Sequence, residues 1–119
     1  MTATLLLQQK CVACRADSPS VTEQEIAELH PQVSQWQIIQ EDGIPKLDRV
    51  FRFKDFAQSL AFTNAVGAIA EEEGHHPDLN LHNWNKVMVT LSTHAIGGLS
   101  ENDFILASKI GEMFVAKED

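Results

Sequence analysis

Four of the five histidines in this 119-residue chain fall within residues 75–94, and the arrangement of three of them suggests proton-transfer chemistry. His75 and His76 are adjacent and precede Pro77, and His94 ends an apolar run. Imidazole has an ordinary pKa of about 6.5, so it gains or loses a proton readily at physiological pH. Two or three such groups around one pocket can act as general acid and general base.

The position of the histidine pair favours proton transfer over metal binding. Pro77 disfavours helical geometry at His76, and neighbouring side chains of an extended backbone point in different directions. A shared zinc would need ligands on one side of the backbone and a carboxylate or cysteine to complete the shell. We therefore expect no metal, with one ring at the reacting atoms and the other holding the substrate.

The surrounding residues form the pattern E-x3-H-H-P-x6-W-x9-H-x8-D, which runs from Glu71 through Trp84 to Asp103. This pattern resembles the signature of the pterin-4a-carbinolamine dehydratases, small enzymes of tetrahydropterin recycling. Residues 85–93 and 98–101 also match that family. The resemblance is close over the second half of the chain and looser over the first.

The resemblance implies a hydro-lyase that converts 4a-hydroxytetrahydropterin into quinonoid dihydropterin and water. A general acid protonates the leaving hydroxyl and a base removes the N5 proton, with no metal or organic cofactor. By resemblance His75 and His94 share these two roles, in either order, and His76 binds and orients the pterin. The predicted catalytic set is therefore His75, His76 and His94, and the predicted substrate-binding set is Gly74, His75, His76, Trp84, Ser92, Thr93, His94 and Ala95.

Other residues near the histidines have competing interpretations. Many relatives carry an acidic residue where this chain has Gly74, so His75 lacks that orienting group unless Glu71 replaces it. Asp103 follows Ser100 at capping-box spacing, which gives it a structural duty at a helix start. Alternatively, Asp103 steadies the loop that carries His94.

Cys11 and Cys14 form a C-x-x-C motif near the amino terminus. A thioredoxin-type redox site would need a strand before the motif and a helix at it, and a zinc site would need two further ligands. We favour reduced thiols on a flexible leader, with the redox and zinc interpretations kept as alternatives.

Composition limits the possible partners. The formal net charge of −8 opposes sequence-independent binding to nucleic acid and to anionic membranes. No apolar run approaches the roughly 20 residues of a membrane span, and the first residues lack the features of a secretory signal. We expect a cytoplasmic protein with a leader at residues 1–20 and a single domain at residues 21–119.

Local signals predict the order helix, two strands, helix, one or two strands, helix. A capping box at Thr22 begins a short helix that ends near Pro31, and the Asp42-Gly43 turn joins two strands. A strand is expected from Lys86 to His94. The two longer helices are expected from Asp55 to Gly74, with Phe56, Leu60, Val66 and Ile69 facing inward, and from Ser100 to about Ala116.

This order lacks the repeated strand-helix-strand alternation of a parallel sheet. The sequence therefore predicts an α+β fold, and the family resemblance completes it as a four-stranded antiparallel sheet with three helices packed on one face. The resemblance also implies homodimers or homotetramers. Two other functions stay open: a protein-binding role, as in animal members that are dimerisation partners of a homeodomain transcription factor, and a pterin-related role near molybdopterin metabolism. The three intact histidines favour the dehydratase.

Overall fold

The computed structural model describes residues 6–9, 11 and 20–118, and at residues 7, 94 and 116–118 it describes the backbone. Its elements follow the predicted order. They are α1 (Glu23–Leu29), β1 (Gln37–Glu41), β2 (Ile44–Arg52), α2 (Phe56–Glu73), β3 (Asp78–His82), β4 (Lys86–Leu91) and α3 (Glu101–Glu118), with short 3-10 helices at Leu6–Gln8, His30–Val33 and His94–Ile96. No helix in the described ranges is long and apolar enough to cross a membrane.

The four strands form one antiparallel sheet in the order β1-β2-β4-β3. Leu47 pairs with Leu91 and Phe51 pairs with Val87, so these side chains lie on the same face of the sheet. All four are buried in one apolar cluster with residues of α2 and α3. The prediction of an α+β fold with a four-stranded antiparallel sheet and three helices is confirmed.

The predicted helix starts are present as hydrogen bonds. In α1 the Glu25 N–H donates to Thr22 Oγ1 at 3.1 Å and the Thr22 N–H donates to Glu25 Oε1 at 2.9 Å, which completes the capping box. In α2 the Gln58 N–H donates to Asp55 Oδ1 at 2.8 Å. Pro31 lies in the 3-10 helix that continues directly from α1.

The predicted inward face of α2 is wrong for two of its four residues. Phe56 is 51% exposed and Leu60 is 44% exposed. The buried residues of α2 are Ser59, Phe62, Val66 and Ala70. At 3.6 residues per turn, Phe56 and Leu60 lie about 75° and about 115° around the helix from the centre of that face. The ring of Phe62 occupies the core instead, 4.8 Å from that of Phe51 and 5.0 Å from that of Phe53.

The strand predicted to reach His94 is also shorter than expected. β4 ends at Leu91, and the His94 backbone begins a 3-10 helix. Thr93 leaves the sheet because its N–H donates to the Gly98 carbonyl at 2.7 Å, in an isolated antiparallel bridge. The alternation itself is confirmed, since Val87, Val89, Leu91 and Thr93 are all buried.

Most of the predicted leader lies outside the described residues. Its described part packs on the domain: Leu6 is fully buried, and its N–H donates to Gln32 Oε1 at 3.0 Å. After the leader, the Val21 N–H donates to the Leu99 carbonyl at 3.0 Å. The first bond joins the leader to the 3-10 helix after α1, and the second joins the start of the domain to the residues just before α3.

The corrected face of α2 gives a matched pair of substitutions. Phe62→Ala should lower the free energy of unfolding by about 3–5 kcal/mol, because it removes a fully buried ring and leaves a cavity. Phe56→Ala on the same helix should change it by less than about 1 kcal/mol, because half of that ring is already in water. Urea unfolding of both variants measures the difference, and similar losses would contradict this placement of the two rings.

Candidate active site

The end of α2 fixes the backbone of His75. Gly74 adopts a left-handed conformation with φ of +67°, where a residue without Cβ is favoured. The Gly74 N–H donates to the Glu71 carbonyl at 3.3 Å and the His75 N–H donates to the Ala70 carbonyl at 3.2 Å. This pair of bonds is a Schellman motif. The helix end therefore fixes the direction in which the backbone leaves α2 at His75.

The two adjacent histidine rings point to different environments. The His75 side chain is 10% exposed, and its Nε2 lies 2.6 Å from Asp103 Oδ1. The His76 side chain is 62% exposed, and its Nε2 lies 2.5 Å from Glu71 Oε2. The geometry therefore separates one buried imidazole from one at the surface. Glu71 contacts His76 and not His75, so the group that orients His75 is Asp103.

Asp103 is fully buried at the third position of α3 and accepts hydrogen bonds on both carboxylate oxygens. Oδ1 faces His75 Nε2, and Oδ2 accepts from Thr93 Oγ1 at 2.8 Å and from the Ser100 N–H at 2.9 Å. The bond from Ser100 is the predicted capping interaction. The bond to His75 was missed in the sequence analysis, because the two residues are 28 positions apart. The signal that could have indicated this contact is that His75 and Asp103 belong to the same family signature.

Thr93 and His94 follow β4 in the loop beside this carboxylate. Thr93 is 3% exposed, and its Oγ1 also lies 2.7 Å from Ser100 Oγ. The loop from His94 to Gly97 is closed by the bridge between Thr93 and Gly98. The structure thus brings His75 and the backbone of His94 to two sides of one hydrogen-bond network.

The remaining predicted binding residues differ in position. Gly74 and Ala95 are exposed in the two loops that carry the histidines, and Ser92 is buried just after β4. Trp84 is 59% exposed in the turn between β3 and β4, at the other end of that hairpin. Asp78 pairs with Thr90 and His82 pairs with Lys86, so a strand length of about 13 Å separates the turn from the histidine end. The fold does not bring Trp84 to the histidine pair.

A largely buried ion pair involves Glu73, two positions before His75. Glu73 Oε2 is 2.7 Å from Lys109 Nζ, and the Glu73 side chain is 3% exposed. The Cys11 N–H donates to Glu73 Oε1 at 2.9 Å, and Cys11 Sγ lies 3.6 Å from the Asn102 carbonyl oxygen. This cluster ties the end of α2 to α3 and to the amino-terminal segment.

The environment of Cys11 differs from that of a redox thiol. Burial, followed by the nearby Glu73 carboxylate, raises the pKa of the Cys11 thiol to about 12. Reactive cysteines of C-x-x-C motifs have lowered pKa values instead. Cys11 is a free thiol, and Cys14 lies outside the described residues. Within the described ranges no group of three His, Cys, Asp or Glu residues is placed to hold a metal ion.

The family model for pterin 4 alpha carbinolamine dehydratase matches residues 19–113, which include every element of the sheet and the whole site. The chain belongs to this family. The resemblance found in the sequence is thereby confirmed.

Two curated pterin-dehydratase relatives are bacterial. The chain is 53% identical over 104 residues to "Putative pterin-4-alpha-carbinolamine dehydratase 1" of Gloeobacter violaceus, covering 87% of this chain and 89% of the relative. It is 51% identical over 108 residues to "Putative pterin-4-alpha-carbinolamine dehydratase" of Nitrosococcus oceani, covering 91% and 95%.

Two solved structures share the pterin-dehydratase fold. A transcriptional coactivator/pterin dehydratase from Brucella melitensis matches with a TM-score of 0.71 at 34% identity, over 80% of this chain and 98% of that one. A pterin dehydratase-like protein identified as a RuBisCO assembly factor in the alpha-carboxysome matches with a TM-score of 0.57 at 28% identity, over 67% and 89%.

The network around Asp103 predicts a stability loss larger than that of a cap alone. Asp103→Ala should lower the free energy of unfolding by about 2–4 kcal/mol, because buried donors of three residues lose a charged acceptor. The matched control is Glu25→Ala, which removes the equivalent capping residue of exposed α1 and should cost about 1 kcal/mol or less. Chemical unfolding compares the two, and equal losses would mean that Asp103 acts as a cap alone.

The raised pKa of Cys11 predicts a thiol that is alkylated slowly and a protein stability that falls at high pH. Its folded pKa of about 12 exceeds the ordinary value of 9.0, so its contribution to stability is complete below about pH 9 and is lost as pH rises toward 12. In a Cys14→Ser background, iodoacetamide at pH 8.5 should alkylate Cys11 much more slowly in the folded protein than in guanidinium. Equal rates would contradict the burial of this thiol.

Proposed function

We propose that this protein is a dehydratase that converts 4a-hydroxytetrahydropterin into quinonoid dihydropterin and water. The observation that carries the proposal is the buried contact between His75 and Asp103 inside the family signature. Membership of the pterin dehydratase family supports the reaction class. The roles of individual residues rest on the geometry of the site.

Asp103 determines which nitrogen of His75 is available to the substrate. A carboxylate only accepts hydrogen bonds, so His75 Nε2 carries the proton that faces Asp103 Oδ1. Nδ1 is then the ring atom left to exchange a proton with the pterin. The same carboxylate stabilises the positive charge that His75 gains when it accepts a proton, as in other aspartate–histidine pairs.

The second proton-transfer role is assigned to His94. Its backbone follows Thr93, whose hydroxyl donates to the same Asp103 carboxylate, so the two histidines are held relative to one buried group. One of them protonates the leaving hydroxyl and the other removes the N5 proton. Each step gains about 10²–10⁴-fold from a positioned acid or base, and neither requires a metal.

His76 suits substrate binding better than proton transfer. Its ring is largely exposed and paired with an exposed carboxylate of Glu71, an arrangement that holds a ring loosely at a surface. We assign His76 to orienting the pterin. The exposed backbone at Gly74 and Ala95 and the polar Ser92 complete the proposed contacts. Trp84 is left out, because it lies at the far end of the hairpin.

A protein-binding role is the second candidate, and exposed apolar side chains on α2 favour it. Phe56 and Leu60 lie one helical turn apart on the solvent side, where they offer a contact surface to another protein or to a second copy. Of the two structural relatives, one is a transcriptional coactivator/pterin dehydratase and the other is a pterin dehydratase-like RuBisCO assembly factor, so such roles occur in proteins of this fold. This role is compatible with an active, cytoplasmic, homo-oligomeric dehydratase.

A direct kinetic assay tests the proposal. Purified protein should accelerate the dehydration of synthetic 4a-hydroxytetrahydropterin, and exhaustive chelation should leave the rate unchanged because imidazoles do the chemistry. His75→Ala and His94→Ala should lower kcat by about 10²–10⁴-fold, and Asp103→Asn should also lower kcat. His76→Ala should chiefly raise KM, as loss of uniform substrate binding does.

His82→Ala is the matched control for these variants. His82 lies at the far end of β3 and contacts the Asn80 carbonyl oxygen, so its loss should leave kcat and KM unchanged. Absence of turnover by the wild-type protein would reject the dehydratase and leave the protein-binding candidate. Activity that is lost on chelation and restored by zinc would reject the metal-free mechanism.

A further inference from the structure

We propose that Thr93 is a positioning residue and not a substrate contact. Through Asp103 it fixes the position of His75 relative to the loop that begins at His94. The family resemblance assigned Thr93 to substrate binding, so this inference revises one residue role and rests on the proposed function. Its basis is the direction of the hydrogen bonds around a buried hydroxyl.

The hydroxyl of Thr93 has one proton, and the structure assigns it to Asp103 Oδ2 at 2.8 Å. The contact of 2.7 Å with Ser100 Oγ must then run the other way, with Ser100 as the donor. The order of donation is therefore Ser100 to Thr93 to Asp103. The single proton of the Thr93 hydroxyl and one of its two lone pairs are therefore used inside the protein.

The burial of Thr93 agrees with this assignment. The whole residue is 3% exposed, and its backbone is bonded to Gly98 in both directions, at 2.7 Å and 3.4 Å. A pterin could accept the proton of this hydroxyl only by displacing Asp103. That displacement would leave a buried polar group without its partner, which is unfavourable.

Thr93 also joins the two halves of the proposed catalytic machinery. Its side chain restrains the Asp103 carboxylate that contacts His75, and its backbone closes the loop that begins at His94. Loss of the hydroxyl removes the bond from this loop to the Asp103 carboxylate and leaves the backbone bridge to Gly98 in place. A small change in orientation at a proton-transfer site lowers the rate of chemistry more than it lowers affinity.

The test compares Thr93→Val, which has the same shape without the hydroxyl, with Thr93→Ser, which restores the hydroxyl. Thr93→Val should lower kcat by about 10–100-fold with KM within about twofold, and Thr93→Ser should recover most of that loss. The matched control is Thr90→Val, because Thr90 Oγ1 donates to Asp48 Oδ1 at 2.7 Å in a similar bond away from the site. Thr90→Val should leave kcat unchanged.

A second readout does not depend on turnover. In the wild-type protein the His75 Nε2–H bonded to Asp103 should give a slowly exchanging proton signal in the NMR spectrum. This exchange should become at least about tenfold faster in folded Thr93→Val, and stay slow in Thr93→Ser and Thr90→Val. If the wild-type protein shows no dehydration, the proposed function fails, and this signal alone decides the role of Thr93.

Two results would overturn the inference. A raised KM with unchanged kcat in Thr93→Val would show that the hydroxyl binds substrate, as the family resemblance implies. An unchanged His75 signal in folded Thr93→Val would show that the hydroxyl does not restrain the Asp103 carboxylate.

Discussion

The buried carboxylate of Asp103 is the group on which the arrangement of the site depends. An ionised carboxylate in a protein interior is unfavourable unless donors surround it. Here the donors come from the end of α2, from the loop after β4 and from the start of α3, through His75, Thr93 and Ser100. Its place in the first turn of α3 adds the favourable field of a helix N-terminus. Because one small group needs all three segments, their positions cannot vary independently.

The rest of the fold holds those three segments together. The Schellman motif at Gly74 directs His75 toward α3. Glu73, the residue before Gly74, forms an ion pair with Lys109 that connects the end of α2 to α3. The bridge between Thr93 and Gly98 returns the third segment to the start of α3. Behind them, the rings of Phe51, Phe53, Phe62 and Phe114 pack together against the sheet. A rigid core and local backbone motifs thus hold the polar network.

The sequence predicted the parts of this arrangement that arise from residues close in the chain. The capping signals of all three helices, the glycine helix end and the alternation of β4 depend on neighbours within a few positions, and all are present. It did not predict the contact of His75 with Asp103 or of Glu73 with Lys109, because these join residues 28 and 36 positions apart. The inward face of α2 was misassigned for a similar reason. Phe56 and Leu60 are as apolar as Phe62, and only packing against the sheet decides which of these side chains is buried.

The two duties of Asp103 explain why its substitution alone cannot separate structure from catalysis. The same oxygen, Oδ2, accepts the capping bond from Ser100 and the bond from Thr93, and the other oxygen orients His75. Any change at Asp103 alters the helix start and the imidazole together. The Thr93 hydroxyl lies outside the capping interaction, so its removal changes the restraint on the carboxylate and leaves the Ser100 N–H bond in place. The distinction between folding and chemistry in this site therefore rests on threonine and not on the signature aspartate.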